Sequence, residues 1–374
     1  MNIGIVCYPT FGGSGVVATE LGNALAEKGC KVHFISYSQP VRLNILERNI
    51  YYHEVNVHDY PLFQYQPYEL ALSSKMVDTV INEKLDVLHV HYAIPHAYAA
   101  FMAKQILRDE GVTIPVITTL HGTDITLVGK NPSYRRAVKF SINKSDYVTA
   151  VSENLKQETQ NFFNCGSSIE VIPNFIDNEL YKNQDGCDKT ALANQGEKLI
   201  THISNFRKVK RTEDVVEIFA GIHKKMPAKL ILVGDGPERS KVLELAKNSG
   251  LGRDVIYLGK TTEVERILCL TDLFLLPSES ESFGLAALEA MAGGAPVISS
   301  NAGGLPEVNT DGVTGYTCAV GDIKTMTDKA LYILQDEAIH ERFKKAAQKR
   351  AESFDIKAVL PLYINLYEKA VNKK

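Results

Sequence analysis

The sequence predicts an α/β protein made of two doubly wound, Rossmann-like domains that face each other across a cleft. Short apolar runs alternate with segments of helical period along nearly the whole chain, and such uninterrupted runs are typical of buried parallel strands. The alternation stops once, at a polar segment over 178–197, and then restarts. A chain of 374 residues has room for two domains of ordinary size.

In the first domain, each apolar run is followed by a stretch with helical spacing, so strands and helices are expected to alternate. The predicted strands cover residues 3–7, 31–36, 86–90, 115–119 and 147–150. The predicted helices cover residues 16–28, 68–84, 95–110, 133–144 and 153–163. These elements belong to a predicted N-terminal domain over 1–170.

The second domain, predicted over 171–355, repeats the alternation. Its predicted strands cover residues 199–203, 229–233, 255–258, 273–276 and 296–300. Its predicted helices cover residues 212–225, 238–249, 262–270 and 283–291. Residues 356–374 form a predicted amphipathic helix that crosses back to the first domain. Ligands of open α/β sheets bind beyond the carboxyl ends of the strands, which is where we expect the site.

Composition excludes several classes of function. The net charge of −3 and pI of about 6.4 disfavour a nucleic-acid-binding protein. The six cysteines form no C-x-x-C pair, so the sequence predicts reduced thiols rather than a zinc site or a disulfide framework. No signal peptide precedes the first strand and no apolar run is long enough to span a membrane. A cytoplasmic protein is therefore expected.

The stretch from 277 to 296 carries two carboxylates between two predicted strands. Glu281 lies on the loop after one strand, and Glu289 lies about two turns along the following helix. The first N–H groups of that helix belong to Phe283, Gly284 and Leu285. Such N–H groups favour an anion. Both glutamates can be ordinary exposed charges, but Glu289 lies in a nearly uncharged segment, where a carboxylate needs a partner such as a ligand hydroxyl.

A glycine-rich turn, Gly13-Ser14-Gly15, follows the first strand. Counted from Gly13, it fits the G-x-G-x-x-A pattern of dinucleotide sites. Such a site also needs an acidic residue at the end of the second strand, and this strand ends in Ser36-Tyr37-Ser38-Gln39. The turn is then either a tight structural turn or a place where the backbone approaches a sugar phosphate or an acceptor.

Histidines cluster at the ends of two predicted strands. His121 follows the strand at 115–119, and Gly122 beside it allows close backbone approach. It is either a structural hydrogen-bonding residue or a ligand contact. A second group consists of His89, His91 and His96. No carboxylate lies at ligand spacing from that group, so no metal site is predicted there. Tyr92 is a candidate contact for the acceptor.

A basic loop follows the first strand of the second domain. It contains Arg207, Lys208, Lys210 and Arg211. These cations form either a solvated turn or a site that neutralises a departing diphosphate. Arg207 and Lys210 are the preferred pair, with Arg211 in reserve. The turn at 234–237, after the next strand, is predicted to be structural.

Taken together, these motifs resemble the retaining glycosyltransferases of the two-Rossmann-domain type, a family that includes sucrose-phosphate synthase and many mannosyltransferases. The resemblance covers nearly the whole chain and rests on the glutamate pair, the basic loop, the glycine turn and the His121-Gly-Thr-Asp124 segment. The family's usual Gly-Arg with a lysine five residues on is replaced here by Asn205-Phe-Arg-Lys-Val-Lys-Arg211. The arginine carries over as Arg207, but its basic partner, Lys210 or Arg211, stays open.

The resemblance implies a role for each site residue. Glu289 would bind the ribose of the donor, Glu281 the hydroxyls of the donor sugar, and His121 would position that sugar. Arg207 and Lys210 would stabilise the departing diphosphate in place of a metal ion. The implied donor-binding residues are Gly13, Phe283, Gly284, Leu285, Glu289 and Arg211. The implied acceptor-binding residues are Ser14, Tyr92 and Thr119.

Four segments are similar to a subgroup of the family that transfers N-acetylglucosamine from its UDP donor to the hydroxyl of L-malate. These segments are residues 8–15, 89–96, 118–126 and 204–211. The resemblance thus implies these two substrates and no metal or other cofactor. Basic candidates for the malate carboxylates are Lys130, Arg135, Arg136 and Arg253. The alternatives are a different acceptor, a UDP-sugar epimerase, or a nucleotide-sugar sensor without turnover; the oligomeric state, including a homo-oligomer, stays open.

Overall fold

The computed structural model describes residues 1–10, 12–59, 61–182 and 187–373 and divides into two units. The first unit contains Met1–Asn174 and Ile356–Lys374, and the second contains Phe175–Asp355. The chain therefore leaves the first unit once and returns to it in the last helix. The connection was predicted over 178–197, but the units divide slightly earlier, and residues 183–186 of that segment lie outside the described residues.

The described part of the first unit contains a seven-stranded parallel sheet with the order β3-β2-β1-β4-β5-β6-β7. Its strands are β1 (Asn2–Val6), β2 (Lys31–Ser36), β3 (Ile50–Glu54), β4 (Val87–His91), β5 (Val116–Leu120), β6 (Tyr147–Ala150) and β7 (Ile169–Val171). The helices between them are α1 (Gly13–Glu27), α2 (Tyr68–Glu83), α3 (Tyr98–Asp109), α4 (Pro132–Lys144) and α5 (Glu153–Phe163).

The described part of the second unit contains a six-stranded parallel sheet with the order β10-β9-β8-β11-β12-β13. Its strands are β8 (Lys198–Ile203), β9 (Ala228–Val233), β10 (Val255–Gly259), β11 (Leu273–Leu276), β12 (Val297–Ser300) and β13 (Gly315–Cys318). Its helices are α6 (Glu179–Lys182), α7 (Thr212–His223), α8 (Arg239–Asn248), α9 (Val264–Cys269), α10 (Leu285–Ala292), α11 (Leu305–Val308), α12 (Ile323–Leu334) and α13 (Glu337–Glu352). The chain ends with α14 (Ile356–Asn372), which belongs to the first unit.

The two sheets confirm the predicted fold class, α/β with two Rossmann-like domains. In each sheet the strand order reverses beside the first strand, between β1 and β4 in one unit and between β8 and β11 in the other. Connections that leave neighbouring strands in opposite directions open a crevice at the carboxyl ends of those strands. The loops after β1, β4, β8 and β11 are therefore where each unit presents functional side chains.

Apolar burial holds each unit together. In the second unit, the core lies between the sheet and α7, α8, α12 and α13, and it includes the fully buried Phe219 and Phe343. Full burial of such a side chain stabilises a fold by roughly 1.5–3 kcal/mol. In the first unit, Tyr363 and Tyr367 of α14 are buried, and the Tyr367 hydroxyl shares a hydrogen bond of 2.7 Å with Nδ1 of His89 on β4. The last helix is thus part of the first unit's core.

The cysteines depart from the prediction. Cys187 and Cys269, 82 residues apart in sequence, form a disulfide, whereas Cys7, Cys30, Cys165 and Cys318 are free thiols. The prediction of reduced thiols is wrong for this pair, because the fold brings the chain that leads into β8 to the end of α9, which sequence spacing does not reveal. Within the described residues, no helix has the length and apolar character that crossing a membrane requires.

Four histidines are buried in the first unit, at and just beyond the ends of β4 and β5. Burial lowers the pKa of His89 and of His121 to about 3 and that of His96 to about 4. Burial, together with the neighbouring histidines, lowers the pKa of His91 well below its ordinary value of 6.5. All four imidazoles are therefore neutral at pH 7.

These histidines predict acid-sensitive stability. Below pH 6.5 these histidines bind protons in the unfolded chain but not in the folded chain. The free energy of unfolding therefore decreases as the pH decreases. Asp124 opposes this, because burial raises its pKa to about 6 and its folded form takes up a proton first. Four histidines against one carboxyl leave a net loss, and His33 and His202 add to it, because burial lowers the pKa of each to about 4. Each net proton changes the free energy of unfolding by about 1.4 kcal/mol per pH unit.

We therefore expect the thermal unfolding midpoint to fall between pH 6.5 and 5.5, a window above the ordinary pKa of exposed carboxylates. The measurement is a set of calorimetric scans across that window. The exposed His58 provides the control, since His58→Gln should leave the pH dependence as it is in the unsubstituted protein. A midpoint that stays constant from pH 6.5 to 5.5 would contradict the buried neutral state.

Candidate active site

A carboxylate and an ammonium group meet at the switch point of the second unit. Lys210, on the loop after β8, donates to Oε1 of Glu281, on the loop after β11, over 2.5 Å. The same oxygen accepts a hydrogen bond of 3.1 Å from the Ser278 hydroxyl. The two side chains are only 19% and 13% exposed. Burial of this kind makes the pair geometrically fixed, since neither charge has much water to replace its partner.

The backbone of Glu281 is held by a pair of glycines after β12. Gly304 N–H donates to the Glu281 carbonyl over 2.8 Å. Gly303 has φ of 58°, and a Cβ on it would lie 1.9 Å from that carbonyl oxygen. Only glycine fits there without moving the loop. These glycines were not predicted as site residues, although the Gly-Gly pair directly after a buried strand was a usable signal.

The cations of the basic loop differ in their exposure and in their ion-pair partners. Arg207 is exposed, and no residue in the described part of the chain forms a hydrogen bond or ion pair with its side chain. Arg211 has φ of 48° and donates from Nε to Asp214 over 2.6 Å. The structure thus brings Lys210, and not Arg211, to Glu281. The backbone N–H of Glu279 donates to the carbonyl of Val209 over 2.8 Å, which ties the two loops together.

A buried histidine that was not predicted supports the basic loop from beneath. His202, near the end of β8, bonds through Nδ1 to the Leu275 carbonyl over 2.9 Å and through Nε2 to the Ser204 hydroxyl over 2.8 Å. Burial lowers the pKa of His202 to about 4, so it is neutral. Ser204 in turn accepts from the Phe206 N–H over 3.2 Å. Its position near the end of an apolar strand was the available signal.

The predicted anion-binding turn starts a helix, as expected, but two residues later than predicted. Helix α10 begins at Leu285, after Gly284 with φ of 100°. Within the described residues, the N–H groups of Leu285 and Ala286 at its start form no backbone hydrogen bond, so they can bind a ligand. The Phe283 side chain is buried and packs edge-on against Phe354 at 5.5 Å, so only its backbone can face a ligand. Glu289 is half-buried on the same helix.

In the first unit, the glycine turn and the end of β4 meet. Ser14 and Tyr92 share a hydroxyl–hydroxyl hydrogen bond of 2.7 Å. Gly13 and Ser14 begin α1, and a Cβ on Gly15 would lie 2.6 Å from the Thr10 carbonyl. Because Gly15 has no Cβ, α1 can pack closely against the turn that precedes it. Phe11 of this segment lies outside the described residues.

Tyr92 lies in an aromatic group at this edge of the sheet. Its backbone has φ of 83°, which is a strained conformation for a non-glycine residue. Its ring lies 5.3 Å from that of Tyr8 and 5.1 Å from that of His121. Such strain is concentrated at functional sites in proteins. The turn therefore aims this phenol into the group formed with Ser14 and His121.

His121 is positioned by buried polar groups. Its Nε2 shares a hydrogen bond of 2.8 Å with Nδ1 of His91, and the residue is 9% exposed. Asp124 accepts from the N–H groups of Gly122 and Ala93, each over 2.9 Å, and so joins the loops after β5 and β4. Any contact of His121 with a ligand is made by a neutral imidazole with a fixed orientation.

Thr119 requires a correction. It was predicted to contact the acceptor, but it is fully buried. Its hydroxyl is bonded to Nε2 of His89 and to the Thr149 hydroxyl, each over 2.7 Å. The error arises because Thr119 lies within β5, before the strand ends, and its side chain points into the interior. Its side chain orients His89 and does not reach a ligand.

The remaining candidates lie at the surface. Arg135 donates to the Phe162 carbonyl over 3.3 Å and lies over the Phe162 ring, while Lys130 and Arg136 are exposed near the start of α4. Arg253 comes just before β10, at the amino-terminal edge of its sheet and away from the loops that carry Lys210 and Glu281. The turn at 234–237 packs beneath the basic loop, where Glu238 N–H donates to the Phe206 carbonyl over 2.9 Å.

Comparisons with known proteins agree with this geometry. Residues 11–180 match the family model described as Glycosyltransferase Family 4, and residues 187–350 match the one described as Glycosyl transferases group 1. The chain is 48% identical to N-acetyl-alpha-D-glucosaminyl L-malate synthase of Bacillus anthracis, over 98% of this chain and 96% of that protein.

Solved structures show the same fold. Sucrose-phosphate synthase from Thermosynechococcus elongatus superposes with a TM-score of 0.82 at 20% identity and covers 100% of both chains. Anabaena Alr3699/HepE in complex with UDP-glucose gives a TM-score of 0.82 at 21% identity, over 99% of this chain and 100% of that one. The protein is thus an enzyme that belongs to the family 4 glycosyltransferases with two Rossmann-like domains, the GT-B fold.

Proposed function

We propose that the protein transfers N-acetylglucosamine, with retention of configuration, from UDP-N-acetylglucosamine to the hydroxyl of L-malate, the first step of bacillithiol biosynthesis. The observation that carries the proposal is the 48% identity, over 98% of the chain, to a protein named for this product. A match over 98% of the chain takes in the regions of the loops after β1, β4, β8 and β11, which determine what each unit binds.

The second unit would bind the donor. Glu281, held by Lys210 and Ser278, presents its second carboxylate oxygen to the sugar hydroxyls. The N–H groups at the start of α10 would meet the diphosphate or the sugar, as helix starts commonly do. Glu289, further along α10, would accept hydrogen bonds from the ribose hydroxyls. Carboxylates suit this task because they offer several acceptor positions to hydroxyl donors.

The leaving group needs positive charge, and the basic loop supplies it. As the malate oxygen bonds to the anomeric carbon, the bond from that carbon to the diphosphate breaks, and a leaving phosphate oxygen takes the proton of the hydroxyl. Arg207, which is exposed, can pair with the diphosphate directly. Lys210 adds a second cation beside Glu281. Fixed charges of this kind are often the largest contribution to catalysis, and they make a metal ion unnecessary in this proposal.

The first unit would bind malate near the bonded Ser14 and Tyr92 hydroxyls, with His121 as a neutral hydrogen-bonding group that positions the sugar. Lys130 and Arg136 are the exposed cations left for the malate carboxylates. We also place the protein in the cytoplasm. The Cys187–Cys269 disulfide argues against this location, because disulfides are rare in reducing compartments such as the cytoplasm.

The proposal predicts a product that depends on the acceptor hydroxyl. Incubation with UDP-N-acetylglucosamine and L-malate in excess EDTA should release UDP and form glycosyl-malate. Succinate, which lacks the hydroxyl of malate, is the matched control and should accept nothing. Mass spectrometry and a UDP-release assay give the measurement.

Three other outcomes of this assay would reject the proposal or part of it. A sugar epimer or free sugar formed without malate would identify a hydrolysing epimerase. Donor binding without turnover would identify a sensor. An absolute need for added Mg²⁺ would reject the metal-free mechanism.

The charges at the switch point predict a loss of turnover. Glu281→Gln keeps the size of the side chain and removes its charge, and Arg207→Ala removes the exposed cation. Arg207→Ala should lower kcat by about 100-fold or more, the usual effect of removing one group that stabilises developing charge. Glu281→Gln should also lower kcat, because it removes the charged acceptor for the sugar hydroxyls and the partner of Lys210. Glu279→Gln and Lys208→Ala, at exposed neighbours, are the matched controls and should stay near full activity. Near-normal turnover in both site variants, with unchanged unfolding midpoints, would reject the assignment.

Glu289→Gln should act differently from Glu281→Gln. If Glu289 binds only the ribose, its loss weakens ground state and transition state alike, which raises KM with little change in kcat. A hydrogen bond from a charged group suggests a rise in donor KM of roughly 10- to 100-fold. Steady-state kinetics with varied donor measure both constants. A fall in kcat equal to that of Glu281→Gln would contradict the separate roles.

A further inference from the structure

Two histidines and a carboxylate converge at the edge of the first unit's sheet. His33 lies on β2, His53 on the edge strand β3, and Glu83 is the last residue of α2. Each offers one donor atom, and these three atoms lie within 4.8 Å of one another. None of the three has a role in the proposed transfer reaction.

The fold explains why these residues meet. In the parallel pairing of β2 with β3, Ile35 lies opposite His53, and His33 lies two residues before Ile35, so the two histidines share one face of the sheet. Ile35 packs in the same core cluster as residues of α2, which shows that α2 covers that face. The carboxyl end of α2 then brings Glu83 over the two rings.

The separation of the imidazoles fits a shared metal ion. Nδ1 of His33 and Nε2 of His53 are 3.0 Å apart. Two nitrogens bound to one ion at about 2.0–2.1 Å are roughly 2.9–3.4 Å apart for ligand angles between 90° and the tetrahedral value. Two imidazoles and a carboxylate form a donor set suited to zinc.

The hydrogen bond between the two rings leaves the Glu83 carboxylate available as a third ligand. No side chain in the described ranges donates a hydrogen bond to that carboxylate. Lys31 acts on His33 and Lys75 acts on His53 as neighbouring cations. His33 is 1% exposed, and its ring stacks on Tyr51 at 4.6 Å. The orientation of the His33 ring is thus fixed before any ion binds.

The geometry points to a divalent-cation site of the zinc class formed by His33, His53 and Glu83, with water in the remaining positions. The ion would fasten β3 to the end of α2. Since α2 ends at the amino-terminal edge of the sheet, this site is separate from the candidate active site at the carboxyl edge. Its role is structural, and it is independent of the proposed transfer reaction.

The test is zinc binding by the full chain. Protein treated with EDTA and then desalted is titrated with Zn²⁺ against a chromophoric chelator at pH 7.5. We expect one equivalent to bind and to raise the unfolding midpoint. His53→Gln and Glu83→Gln, at half-buried positions, should each weaken binding at least tenfold and remove the rise. These positions are preferred to His33, whose complete burial makes a substitution there a risk to folding.

Two controls separate this site from others. His58→Gln removes an exposed histidine, and Glu337→Gln removes the outermost member of another cluster, formed with His340 and Glu341. Both variants should bind zinc like the unsubstituted protein. The proposal is overturned if the unsubstituted protein binds no zinc, if His53→Gln and Glu83→Gln bind it equally well, or if only Glu337→Gln loses it.

Discussion

The parallel pairing of β8 with β11 is the constraint on which the candidate site of the second unit depends. These strands are neighbours in the sheet but are far apart in sequence, and their outgoing connections run in opposite directions. That reversal leaves the two loops side by side with no helix between them. Lys210 and Glu281 can therefore form a short, half-shielded ion pair although 71 residues separate them.

Two kinds of support keep that pair in place, and neither involves charge. The Gly304 N–H donates to the Glu281 carbonyl, and Gly303 lies so close to that oxygen that a Cβ would clash with it. His202, neutral because it is buried, joins β8 to β11 and carries the Ser204 turn that begins the basic loop. The charged groups are thus few and the scaffold around them is neutral. This arrangement suits a site that receives an anionic ligand beside a fixed ion pair, because the loops do not have to reorganise.

The sequence predicted the central strands well because burial on both faces produces continuous apolar runs, as in β1, β2 and β11. It missed β3, β7 and β13, all of which are edge strands, and β7 has only three residues. Local spacing also failed wherever tertiary geometry decides. The left-handed backbone at Arg211 turns that side chain to Asp214 and leaves Lys210 for Glu281, and the disulfide joins cysteines 82 residues apart.

The candidate site residues of the two units differ in their electrostatics. In the second unit they include formal charges, with Arg207 exposed and Lys210 beside Glu281. The first unit offers hydroxyls and neutral imidazoles held by a buried network that runs from Tyr367 through His89 to Thr119. A neutral network of this kind can orient hydrogen-bonding groups without attracting an anion. Burial keeps the His121 imidazole neutral and also fixes its orientation through the hydrogen bond to His91. The charge state and the direction of this side chain therefore have the same cause.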